Sequence, residues 1–148
     1  MGLFSWKDKY LTGCQQIDEE HRRLFAIADN LHKAMLAGRG NDSLQQLFAE
    51  LFDYTRTHFQ REEALMRGAG YPDLSRHKSQ HEAFTRRVLD LHAQANDKKL
   101  AITVETLRFL SDWLNNHICR MDMEVAAHIA RVRPGSTSAA QKPAAVLR

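Results

Sequence analysis

Apolar side chains recur along this chain at steps of three and four, the spacing that keeps them on one face of an α-helix. From Asp18 to about Ala37 the stripe is Leu24, Phe25, Ile27, Ala28, Leu31 and Met35. Gly38 and Gly40 end it, and Asn41, Asp42 and Ser43 offer oxygens that cap a second helix. That helix runs to about Arg67 with Leu47, Phe48, Leu51, Phe52, Phe59 and Leu65 on its apolar side. Gly68, Gly70 and Pro72 turn the chain into a third helix, which reaches about Ala95 through Phe84, Val88 and Leu91. After the break at residues 96–99, Leu107, Leu110, Leu114, Ile118, Met121 and Val125 mark a fourth, from about Thr103 to Arg131. No stretch alternates as a strand does. Four long helices with short connections predict an all-α fold, an up-down-up-down antiparallel four-helix bundle.

The ends differ from the middle. Residues 1–17 form an arm with aromatic side chains and no period. Residues 132–148, rich in Pro, Ser and Ala, are expected to be a disordered tail, which leaves one domain over residues 1–131.

Composition narrows the class. Hydrophobic residues make up 43% and charged residues 26%, the balance of a soluble globular domain. No apolar run approaches the ~20 residues that span a bilayer, so no membrane partner is expected. The first residues lack a basic head followed by an apolar stretch, and the chain is read as cytoplasmic. Cys14 and Cys119 suggest no disulfide framework. The net charge of +3 is dispersed among both signs, which argues against nucleic acid as a partner. The eight histidines are what stands out.

His58 and Glu62 lie four apart and project from one face of the second helix, as His77 and His81 do from the third. His21 comes from the first helix, and His117 and Asp122 from the fourth. With alternate helices running parallel, all seven fall at one height in the bundle. Singly, each pair is an ordinary solvated face. Together, five imidazoles and two carboxylates from four helices would be a costly buried cluster unless cations held them. Imidazole with carboxylate suits iron, zinc or copper, and seven ligands fit two ions better than one.

His117 and Asp122 are five apart, roughly 140° around an α-helix, an interval that does not share a face. A carboxylate that bridges two ions must approach from another side than a terminal imidazole. Asp122 can present one oxygen to each ion and Glu62 can supply a second bridge, with a local distortion of the helix bringing Asp122 in. His32, His92 and His128 each follow a member of the cluster by eleven residues, about 16 Å along the axis, too far to join it. Polar contacts are the simpler reading for them, with a second metal site at His32 and His92 the weaker one.

Trp6 in the arm, "IDEEH", "HFQREEALM", "GYPDLSRHKSQHEAF" and "WLNNHICRMD" resemble the hemerythrin family over about residues 3–125. The resemblance implies a non-haem centre of two irons with an oxo or hydroxo bridge. His77, His81 and His117 would hold one iron, His21 and His58 the other, and Glu62 and Asp122 would bridge them, leaving a position on the second iron for dioxygen. Dioxygen would take one electron from each ferrous ion and the proton of the bridging hydroxide, leaving the net charge of the centre unchanged and the return easy. An apolar dioxygen pocket is expected from Phe59, Trp113, Leu114, Ile118 and Cys119. Cys119 stands where relatives place an apolar pocket residue, and Val125 where they often carry a tyrosine.

The implied function is reversible dioxygen binding for storage, delivery or buffering, not catalysis. The ligand set supports carriage: it is imidazole-rich, whereas ferritin-like sites are carboxylate-rich with Glu-x-x-His spacing. An oxygen or redox sensor, a di-iron enzyme consuming peroxide or nitric oxide, and a zinc-loaded structural bundle remain the alternatives.

Overall fold

A computed structural model describes residues 3–38, 41–96 and 104–133. Helix α1 spans Gln15–Leu36, α2 Asn41–Gly68 and α3 Leu74–Asn96. The fourth rod is continuous but not uniform. It runs as α4 (Val104–Asn116), a π-helical turn (His117–Asp122) and α5 (Met123–Val132), with helical backbone angles at both junctions. No strand occurs among the described residues. The expected tail beyond residue 133, and the expected start of the fourth helix at Thr103, lie outside the described residues.

The apolar stripes meet in two clusters. The larger gathers Leu24, Phe25 and Leu31 of α1, Phe48, Leu51 and Phe59 of α2, Phe84 and Val88 of α3, and Leu110, Leu114 and Ile118 of the fourth rod. The smaller contains Cys14, Ile17, Met66, Val125, Ala126 and Ile129. On three of the four rods the chain passes from one cluster to the other across a polar step. That step is His21 on α1, His58 and Glu62 on α2, and His117 and Asp122 on the fourth. A polar layer therefore sits between two dry ones, and the apolar side chains above and below it exclude water.

The arm is packed, not loose. Phe4 and Tyr10 are buried, and Trp6 sets its edge against Phe25 at 5.5 Å. The Tyr10 hydroxyl donates to Asn115 Oδ1 at 2.6 Å. Asp18, fully buried in the first turn of α1, fixes the arm's last residues. Its Oδ1 accepts from the Thr12 amide and hydroxyl, both at 2.8 Å, and its Oδ2 from the Gly13 amide at 3.2 Å. Gly13 turns at φ +92°, a conformation that side-chain-bearing residues avoid. At the other end of α1, Gly38 adopts φ +68°, the left-handed stop expected of it.

Candidate metal centre

The seven expected residues converge, all of them buried. Glu62, His77, His81, His117 and Asp122 place one ligand atom each within 4.8 Å of one another, and so do His21, His58, Glu62 and Asp122. The two groups share only the two carboxylates. Glu62 Oε1 lies 3.0 Å from His77 Nε2 and 3.1 Å from His81 Nε2. Its other oxygen faces His58 Nε2 at 3.8 Å and His21 Nε2 at 4.0 Å. Asp122 divides in the same way: Oδ1 lies 3.1 Å from His117 Nε2 and 3.2 Å from His77 Nε2, and Oδ2 lies 2.9 Å from His21 Nε2. Each carboxylate thus turns one oxygen to each group of histidines, the disposition a bridge requires.

The π-helical turn makes this possible. It covers His117–Asp122, the odd interval in the sequence. Hydrogen bonding from i to i+5 widens the turn, so residues five apart come round to one side. His117, Ile118 and Asp122 point inward. Cys119 and Arg120 are exposed, and the expectation that Cys119 lines an apolar pocket is therefore corrected. The widened turn that brings Asp122 inward leaves Cys119 and Arg120 outside.

The chemistry of the donors suits a cation. His58 Nδ1 donates to Glu20 Oε1 at 2.7 Å, and Glu20 Oε2 accepts from Arg61 at 3.0 Å. His81 Nδ1 donates to Glu63 Oε2 at 2.8 Å. An ionised carboxylate only accepts, so these pairs fix the Nδ1–H tautomer and turn a bare Nε2 lone pair inward. Yet His81 Nε2 lies 3.0 Å from His117 Nε2, which is 3.1 Å from His77 Nε2. Around one ion with bonds of about 2.1 Å, adjacent octahedral ligand atoms lie about 3 Å apart. Converging nitrogens at that spacing are what a shared cation needs.

Both nitrogens of His21, both oxygens of Asp122 and Glu62 Oε2 are buried without a hydrogen-bond partner. His21 Nε2 is within 2.9 Å of Asp122 Oδ2, but the angles are wrong for a hydrogen bond, as for two ligands of one ion. Orphaned buried polar atoms cost roughly 1–3 kcal/mol each, more when charged. The donor set fits a pair of metal ions.

Without metal, protons balance the carboxylates. Burial opposes charge on His77, but Asp122 and Glu62 outweigh it and raise its pKa to about 9. Burial and the Asp122 charge push the Glu62 carboxyl up, and the bonds to His77 and His81 with the charge of His58 overcome both and hold it at about 2. Against its own burial, Asp122 is held well below the usual carboxylate range by His117, His21 and His77.

Two of the expected pocket residues stack on the three-histidine group, and Phe59 also lies 5.9 Å from the His58 ring. Phe59 stacks on His81 with ring centroids 3.8 Å apart, and Trp113 on His117 at 4.3 Å. Both cover the three-histidine group. Leu114 and Ile118 are buried in the larger apolar cluster. The outlying histidines make ordinary contacts: His32 against Phe4, His92 against Phe48, and His128 Nε2 with the Ala69 carbonyl at 2.8 Å. None joins a candidate metal cluster among the described residues. Sequence reasoning missed Glu20 and Glu63. Each adjoins a cluster member in the chain, about 100° off its face, and so reaches a histidine of the next helix.

Residues 12–129 match the family described as the hemerythrin HHE cation binding domain. A bacteriohemerythrin of Stenotrophomonas maltophilia is 37% identical over 135 residues, covering 87% of this chain and 86% of the relative. One from Pseudomonas aeruginosa is 38% identical, covering 90% and 84%, and one from Methylococcus capsulatus is 32% identical, covering 82% and 93%. A crystal structure of wild-type hemerythrin superposes with a TM-score of 0.80 at 27% identity, covering 85% of this chain and 97% of that one. The fold is that of a hemerythrin bundle with a buried cluster of histidines and carboxylates able to bind metal, and the chain belongs to the hemerythrin family. No described helix is long and apolar enough to cross a membrane.

Proposed function

We propose that this protein binds dioxygen reversibly at a non-haem di-iron centre, as a carrier or buffer in the cytoplasm and not as an enzyme. The observation that carries the reading is the inequality of the two groups. One position gathers three imidazoles and two carboxylate oxygens, the other two imidazoles and the remaining two oxygens. An octahedral ion in the second position has more room for an external ligand than one in the first. The naming of similar proteins as bacteriohemerythrins supports the same reading.

His77, His81 and His117 would hold one iron, His21 and His58 the other, and Glu62 and Asp122 would bridge. An iron pair there supplies the two electrons that dioxygen borrows and returns. The chain's own groups do the rest. Glu20 and Glu63 hold His58 and His81 in the tautomer that presents Nε2. The apolar clusters on either side keep water from a bound oxygen ligand, which suppresses irreversible loss of electrons.

The test is an absorption spectrum of the reduced, iron-loaded protein in argon, in air and after evacuation. A charge-transfer band that appears with air and disappears under vacuum is expected. One-way oxidation replaces carriage with sensing or turnover.

A further inference from the structure

Two of the five cluster histidines receive an Nδ1 acceptor from the chain itself, Glu20 for His58 and Glu63 for His81. His117 does not. Among the described residues its hydrogen bonds run through Nε2 alone, and its side chain is 3% exposed. It borders a cavity of about 260 Å³ between α3 and the fourth rod. Arg76 and Gln80 line the cavity from α3, Asn116 and Arg120 from the fourth rod, and Trp113 forms its apolar wall. Among the described residues, no acidic side chain lines it. Arg76 and Arg120 have no ion-pair partner among the described residues, unlike Arg61, which pairs with Glu20 beside His58. Trp113 stacks on the face of the His117 ring at 11° between planes, leaving the ring's edges to the metal cluster and the cavity.

We propose that this cavity binds a small planar oxyanion of the carboxylate or bicarbonate type, held by Arg76 and Arg120 and accepting the Nδ1–H of His117. The O–C–O group matches the guanidinium fork, and the Gln80 and Asn116 amides add donors. The anion does for His117 what Glu63 does for His81, except that it comes from solution. An acceptor on Nδ1 raises the basicity of Nε2 and strengthens its bond to a metal. Metal and anion therefore favour each other's binding by the same factor. The link to the metal rests on the di-iron reading; the anion site does not.

The test is calorimetric titration of acetate and of bicarbonate into the protein, metal-loaded and metal-free, for wild type, Arg76→Gln, Arg120→Gln and the double variant. Both arginines are exposed and outside any ion pair among the described residues, so the variants should fold, with circular dichroism as the check. Saturable binding of one anion per chain is expected in both forms, weakened about tenfold or more by either substitution. Saturating anion should slow metal extraction by a chelator about threefold or more in wild type and not in the double variant. Tighter bicarbonate assigns a carbon dioxide-derived ligand, tighter acetate an organic acid. Absence of saturable binding overturns the proposal, as does binding that survives the double substitution; survival in the metal-loaded form alone would put the anion on the metal itself. Anion binding with unchanged metal release overturns the link to His117. Since the metal-free titration reads the cavity alone, failure of the anion site is separable from failure of the di-iron reading.

Discussion

Removing Glu63 should weaken one metal position and spare the other. Its Oε2 accepts the His81 Nδ1–H at 2.8 Å, and its side chain is 14% exposed, so solvent screens the bond only in part. A hydrogen bond to a charged partner contributes about 1.5–3 kcal/mol. Loss of a carboxylate behind a metal-bound histidine typically costs 10–100-fold in affinity, about 1.4–2.8 kcal/mol at tenfold per 1.4 kcal/mol. The two ranges overlap, so Glu63→Ala should lower affinity at the position shared by His77, His81 and His117 by about one to two orders of magnitude. Glu63→Gln, which keeps a weaker acceptor, should lose less. Glu20→Gln should act on the position held by His21 and His58. The assay is competition with a graded series of chelators, with metal counted per chain at each strength. Each variant should pass through a one-metal stage at a chelator strength where wild type retains two. If Glu63→Ala releases its metals as wild type does, Glu63 does not support a metal-bound histidine.

Other consequences can be measured without iron spectroscopy. His77, raised from 6.5 to about 9, stabilises the metal-free fold below pH 6.5, and that contribution is lost as pH rises through about 9. Glu62, lowered from 4.5 to about 2, contributes above pH 4.5, and its share is lost as pH falls through about 2. The urea midpoint of the metal-free protein should therefore peak between about pH 4.5 and 6.5; a midpoint that climbs from pH 6.5 to 9 contradicts the His77 assignment, and one that climbs as pH falls from 4.5 to 2 contradicts that of Glu62. Metal loading at pH 7 should release at least the His77 proton, read as a dependence of the apparent binding enthalpy on buffer ionisation enthalpy. Phe59→Ala removes a buried ring stacked on His81 and should cost about 3–5 kcal/mol of unfolding free energy; a loss under 1 kcal/mol would mean the ring is not packed as described. Asp18→Ala removes the acceptor of three hydrogen bonds and should cost about 3 kcal/mol. It should also open Trp6 to iodide quenching, and unchanged quenching would show the arm docks without Asp18.

Most of the fold could be read from periodicity, because helix-spaced stripes and glycine stops leave little choice of partner faces. Gly38 ends α1 as expected, and the ends of all four rods fall within a few residues of where they were expected. The five-residue interval of His117 and Asp122 was legible because only a distorted helix could bring both inward. Three features were not. Glu20 and Glu63 act across helices, and their reach depends on how neighbouring rods are rotated, which no local pattern states. Cys119 was placed inside by its resemblance to relatives that carry an apolar pocket residue there, and which side chains a widened turn leaves outside is not stated by the interval alone. The docking of the arm rests on Asp18 and Tyr10, single contacts without a period.

The most direct measurement is X-ray absorption at the iron edge of the loaded protein. Imidazole-rich first shells and an iron–iron distance of about 3.5 Å are expected from two ions bridged by Glu62 and Asp122. A shell of nitrogen and oxygen with no second iron within 4 Å, at one metal per chain, would contradict a shared two-metal centre.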